Sequence, residues 1–200
     1  MIRKLLSSLD VVILAVSVYL LFWGFLPPRR EDVSQPLLLP DGLPSLPGQR
    51  VIRIAYSPVM RAGETQTIEL NLTSEGDEQA TRLYNDYNLI VEARLDMSLA
   101  DVRPLDLIST ALVEGGKATF YWEVYPRQAG TLRGTIWLYL RFFPKTGGEE
   151  FRQPVSAQLI EIRSRSLLGW TGSVVRSAGV VMFLLGLTLG GLILFSSRVN

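Results

Sequence analysis

Two runs without a charged residue constrain this chain more than any other feature. Residues 11–26 read VVILAVSVYLLFWGFL, and residues 177–195 read SAGVVMFLLGLTLGGLILF. A bilayer core is crossed by roughly 20 apolar residues in helical form, so each run has the length of a span. The first extends back to residue 5 if Asp10 lies near an interface. The pattern predicts transmembrane helices over 5–26 and 177–196, with a polar domain held between them.

The N-terminus, MIRKLLSSLD, has the basic head of a signal sequence, and no small-x-small cleavage site follows its apolar run. It reads as an uncleaved signal anchor, with Tyr19 and Trp23 toward the headgroup layer that amphipathic rings favour. Residues 166–176 read as an interfacial segment anchored by Trp170 and Arg176. The second run carries Gly186 and Gly190 in a G-x-x-x-G spacing, with Gly179 and Gly191 nearby. Small residues at this spacing let two helix backbones approach closely in lipid. Two partners for that face stay open: the first span of this chain, or another subunit.

Flanking charge gives a divided answer on topology. Arg3, Lys4 and Arg198 lie on the outer flanks; Arg29, Arg30, Arg163, Arg165 and Arg176 lie on the domain side. A bare positive-inside count slightly favours a cytoplasmic domain. The export-like N-terminus, the acidic pair Glu31–Asp32 after the arginines, and an all-β domain favour the extracytoplasmic side of an inner (cytoplasmic) membrane, which is the expectation adopted.

Residues 27–49 hold six prolines, a density that favours an extended polyproline linker. At about 3.1 Å per residue it would reach about 70 Å. Its leucines, Leu37, Leu38, Leu39, Leu43 and Leu46, are unusual for a solvated tether, and the expectation is that they dock on a partner rather than on the domain's own surface.

From residue 51 the apolar period becomes two, as half-buried strands require. Strands are expected over 51–57, after Gly63-Glu64 with Ile68, Leu70 and Leu72 inward, and over 88–97 with Leu89, Val91, Ala93 and Leu95 inward. Others are expected over 104–108 at an edge, over 117–125 with Ala118, Phe120, Trp122 and Val124 inward, over 132–143, and over 151–163 with a bulge near Leu159–Ile160. Residues 79–87 read as irregular or a short helix. Short strands at hairpin spacing, without an amphipathic helix, predict an immunoglobulin-like β-sandwich over 50–165, flanked by two transmembrane α-helices.

Composition narrows the chemistry. The chain has no histidine and no cysteine. That removes the commonest general base, the Ser–His and Cys–His nucleophile systems and the commonest soft metal ligands. Residues 50–165 carry 14 Lys and Arg against 15 Asp and Glu, so nucleic acid is not an expected partner. Asp96, Asp101 and Asp106 are the candidates for a hydrolytic carboxylate pair. Glu75, Asp77 and Glu78, with Glu149 and Glu150, are the candidates for calcium. Neither set has diagnostic spacing. The expectation is a non-enzyme with no cofactor and no metal.

Phe120-Tyr121-Trp122-Glu123-Val124-Tyr125-Pro126-Arg127-Gln128-Ala129-Gly130 resembles a hairpin of bacterial envelope-facing immunoglobulin-like modules. In these an aromatic-Trp strand runs into a Pro-x-x-x-Gly turn. Gly63-Glu64-Thr65-Gln66-Thr67-Ile68 resembles their opening strand. The resemblance covers about half of the domain and implies a core tryptophan and a turn, not a reaction. The two-span layout is similar to small bacterial membrane proteins that sit beside larger complexes, which implies a scaffold or accessory role.

The outward face of strand 132–143 carries Arg133, Thr135, Trp137, Tyr139, Arg141 and Phe143. Arg, Trp and Tyr are enriched in interface hot spots. This face, with Leu37, Leu38 and Leu39, is the candidate partner-binding surface; Gly179, Gly186, Gly190 and Gly191 are the candidate helix-packing surface. The expected function is an accessory subunit docking other integral membrane subunits. The alternative is a tethered sensor for a peptide, glycan or envelope component.

Overall fold

Period-two alternation in the middle of the chain is realised as two packed β-sheets between two long helices. The computed structural model describes residues 2–39, 44, 46, 48–75 and 83–198. Helix α1 (Ile2–Phe25) precedes β1 (Glu31–Pro36), β2 (Gln49–Tyr56), β3 (Val59–Arg61) and β4 (Gln66–Glu75). The short helix α2 (Leu83–Asp86) leads into β5 (Tyr87–Met97), β6 (Ala100–Arg103), β7 (Ile108–Leu112) and β8 (Ala118–Pro126). Strands β9 (Gly130–Pro144) and β10 (Phe151–Arg165) then run to helix α3 (Gly172–Arg198).

The sheets are ordered β1-β2-β4-β8-β6 and β3-β10-β9-β5-β7. Strand neighbours are antiparallel, except that β3 runs parallel to the end of β10. The inward residues meet in one core. Ile68, Leu70 and Leu72 on β4 oppose Trp122, Phe120 and Ala118 on β8, and all six are buried. Leu89, Val91, Ala93 and Leu95 on β5 face inward beside Leu140, Leu138 and Ile136 on β9. Each large apolar side chain buried here contributes about 1.5–3 kcal/mol of transfer free energy. The chain is thus a two-layer β-sandwich with two apolar helices.

Several local expectations are corrected. Part of the proline-rich linker is a strand: β1 pairs along its length with β2, from Glu31 opposite Tyr56 to Pro36 opposite Val51. An edge strand bonds on one side only, so a proline lacking its N–H is tolerated there. The edge strand expected over 104–108 lies later: 104–107 form a loop, and Ile108 opens β7, which stands at the edge of its sheet. The bulge sits at Val155, between Pro154 and Ser156, not at Leu159–Ile160. Leu159 instead points outward, 84% exposed, while Ile160 points into the core. The segment read as interfacial, 166–176, already contains the first turn of α3, which starts at Gly172. Leu43, Asp77 and Glu78 lie outside the described residues.

Helices α1 and α3 pack against each other. A Cβ at Gly179 would meet Leu20 and Leu21 at 3.2 Å, and one at Gly186 would meet Leu14 Cδ2 at 2.6 Å. One at Gly190 would lie 2.8 Å from Asp10 Oδ2, whereas one at Gly191 would meet open space. Three of the four glycines therefore face α1. The stretches Ser8–Phe25 and Gly172–Leu192 are each long and apolar enough to cross a membrane, and only 17% of each is buried within the chain.

Candidate functional site

The outward face of the second sheet is built around a buried carboxylate. Glu92 on β5 lies opposite Tyr139 on β9 and is 3% exposed. Its Oε2 is 2.6 Å from Arg152 Nε, and its Oε1 is 3.4 Å from Arg141 Nη1. Arg141 also pairs with Glu150 at 2.5 Å and lies over the Phe143 ring at 4.9 Å. Arg152 lies 4.0 Å above Tyr139. The hydrogen bond that Arg141 donates to the Glu150 carboxylate is the main reason its guanidinium holds its proton more tightly than an ordinary arginine. A buried carboxylate ion-paired to two arginines in a half-dry layer is held in place, because charges attract more strongly there than in water.

Most of the expected docking residues are thereby committed inside the chain. Tyr139, Arg141 and Phe143 belong to the Glu92 layer. Arg133 pairs with Glu161 at 3.3 Å on an exposed rim. Trp137 is half-buried, flanked by Arg94 on β5 and Ala157 on β10. Leu159, two residues along from Ala157, is the most exposed apolar side chain on this face. Trp137, Ala157 and Leu159 thus form its uncommitted apolar spot.

The linker leucines separate. The Leu37 N–H donates to Arg50 O at 2.8 Å, and its side chain is buried in the sandwich core. Leu39 and Leu46 pack partly against the same core. Partner docking is therefore not available to Leu37, and Leu39 is half committed; β1 pairing carries the segment across the mouth of the sheets. Leu38 stays outward, 78% exposed. Buried Arg50 holds this region by donating to Gly116 O at 2.8 Å and to the Tyr84 hydroxyl at 3.1 Å.

Sequence reasoning missed the junction between sandwich and helices. Here Arg61, at the end of β3, donates Nη2 to Trp23 O at 2.6 Å and to Leu26 O. Trp23 lies in the last turn of α1 and Leu26 just past it, at an end where four carbonyls lack intrahelical partners and the helix dipole favours a cation. Arg61 also lies 5.2 Å over the Trp23 ring. Glu64 joins the two helices: its carboxylate is 3.2 Å from Arg61 Nη1 and 3.1 Å from Arg176 Nη2 on α3. The turn carrying them is bonded to three elements, through Ala62 N–H to Arg165 O, Gly63 N–H to Pro126 O, and Gly172 N–H to Ala62 O. Gly63 has φ +76°, a left-handed conformation natural to glycine. A Cβ at Gly172 would overlap the Glu64 carboxylate, so the start of α3 is shaped to receive it. No local signal marks this cluster, because its partners are far apart in sequence.

The carboxylates considered for catalysis do not converge. Asp96 on β5 pairs with Arg94 at 2.8 Å. Asp101 is on β6, in the other sheet, and takes both Arg127 Nε at 2.9 Å and Nη2 at 2.6 Å. That hydrogen bonding holds the Asp101 carboxyl below its ordinary range. Among the described residues no group of three or more acidic side chains is placed to hold a metal ion.

No family model matches the chain, and no curated protein matches it. Solved structures with some likeness include the complex of zinc α2-glycoprotein with prolactin inducible protein from human seminal plasma. It is 13% identical, covering 57% of this chain and 93% of that one, at a TM-score of 0.36. Another is a PapD-like domain of human CEP192, 15% identical over 65% of this chain and 93% of that one, at a TM-score of 0.32. These values add nothing to the two-sheet layout read from strand pairing.

Proposed function

We propose that this chain is a non-catalytic accessory subunit of a bacterial membrane complex. In this reading α1 and α3 cross the inner membrane as a pair, and an immunoglobulin-like sandwich projects from its extracytoplasmic side. Its Trp137–Ala157–Leu159 spot and Leu38 meet the soluble part of a larger integral membrane partner. The observation carrying this reading is the junction: Arg61, Glu64 and Arg176 lock the sandwich to both helices. A domain held at fixed height and tilt loses less orientational freedom on docking than one on a flexible tether. The apolar outer faces of both helices support lipid or partner helices as their surroundings, and the lack of histidine and cysteine supports a role without catalysis.

The test is a tagged purification from native membranes in mild detergent, comparing the natural chain with Leu159→Glu. A fixed set of larger membrane subunits that is retained by the natural chain and depleted with Leu159→Glu supports the reading. A lone monomer or homodimer in both cases sinks it.

One feature favours the alternative of a tethered binding module. Thr65, Asp101, Arg103, Glu123 and Tyr125 line a depression of about 270 Å³ beside β6. Its polar walls suit a small glycan or peptide group, at the lower limit of ligand-site volumes.

A further inference from the structure

A groove of about 400 Å³ opens where α1 leaves its apolar stretch and meets the base of the sandwich. Its lining combines Tyr19, Phe22 and Trp23 of α1 with the guanidinium-bearing residues Arg29, Arg61 and Arg165. Tyr19 and Phe22 are well exposed, and both Arg29 and Arg165 are exposed. Among the described residues, none that lines the groove is acidic. Arg61 is engaged by the α1 carbonyls and Glu64. Among the described residues, Arg29 and Arg165 have no acidic partner, which leaves two uncommitted arginines in a lining that is otherwise mostly apolar.

We infer that this groove binds an anionic phospholipid of the membrane, with its phosphate between Arg29 and Arg165 and an acyl chain along Tyr19 and Phe22. The site rests on the membrane-spanning reading of α1 and adds a ligand to it. Guanidinium groups match phosphate oxygens in a planar fork, and basic pockets beside membrane helices are suited to anionic headgroups. The aromatic wall sets the depth, because Trp and Tyr rings favour the headgroup layer. A free phosphate would satisfy the arginines and leave the apolar wall against water. An amphiphile satisfies both halves of the groove.

The full chain is reconstituted into vesicles of phosphatidylcholine alone, and into phosphatidylcholine with phosphatidylglycerol. Lipid retained after mild detergent extraction is then counted by native mass spectrometry. The natural chain should retain phosphatidylglycerol preferentially, and R29Q/R165Q should lower that retention roughly tenfold or more. R29K/R165K should keep part of it, and Arg133→Gln, on the distant sheet rim, should keep all of it. Equal retention of the two lipids by the natural chain overturns the inference, as does a preference that survives R29Q/R165Q. Displacement of the lipid by inorganic phosphate also overturns it, in favour of a soluble anion site. Flotation separates the two levels of the argument. A chain that does not float with either vesicle fails the membrane reading itself; one that floats without preference fails only the lipid site.

Discussion

Arg61 donates a hydrogen bond to the carbonyl oxygen of Trp23 at 2.6 Å, joining the sandwich to the last turn of α1 across 38 positions of sequence. The bond is completed from the other side by Glu64, whose carboxylate also reaches Arg176 at the start of α3. The orientation of the domain on its helices therefore depends on one carboxylate between two guanidinium groups.

Glu64→Gln keeps the shape of the side chain and removes its charge. The expected loss is about 1.5–3 kcal/mol, the usual range for a hydrogen bond to a charged group. It should lower the melting temperature of the full chain by several degrees. Spin labels placed on the sandwich and on α3 should show a broadened distance distribution. An unchanged distribution would mean that the junction does not fix the domain.

The tryptophans of β8 and β9, one in each sheet, should behave oppositely. Trp122 is fully buried and stacks on Phe120 at 6.2 Å, so Trp122→Ala should cost about 3–5 kcal/mol. Trp137 lies half-buried on the outward face, and Trp137→Ala should cost about 1 kcal/mol or less. Chemical denaturation of the detergent-solubilised chain measures both. Equal losses would reverse the assignment of faces.

The helix pair allows a steric comparison. A side chain at Gly186 must displace Leu14, whereas one at Gly191 enters open space. Gly186→Leu should separate α1 from α3 and lower the thermal stability in micelles, while Gly191→Leu should leave it nearly unchanged. Engineered cysteines report the separation directly in a chain that has none of its own.

The Asp101–Arg127 pair carries a pH dependence. The hydrogen bond from Arg127 lowers the Asp101 pKa in the folded chain. The stabilising contribution is thus fully present above the unfolded carboxyl pKa and is lost as pH falls through the lower folded value. Arg127→Gln should return the Asp101 titration toward the ordinary carboxyl range when followed by NMR. A titration midpoint that does not move would remove Arg127 as the cause.

Legibility in the sequence followed the range of the interaction. The inward set of β8, from Ala118 to Val124, is readable because strict alternation needs only neighbours two residues apart. Strand β1 was hidden because proline density argues against a ladder, yet its ladder has one side only. Leu159–Ile160 looked like a register shift because two apolar neighbours cannot both face a core; in fact one faces outward. Arginines and aromatics on β9 stand out in the sequence as an unusual outward face. Their commitment to Glu92 depends on pairings with β5 and β10 that no local pattern encodes. The same holds for Arg61 and Trp23, each ordinary in its own segment.

The pairing of α1 with α3 has a consequence for biosynthesis. On α1, buried Ser17 and Leu20 belong to a surface that leaves the ribosome before any strand of the sandwich. Its counterpart on α3, with Gly179 and Gly186, is synthesised after all of them. The helix pair can therefore close only after every strand of the sandwich has been made.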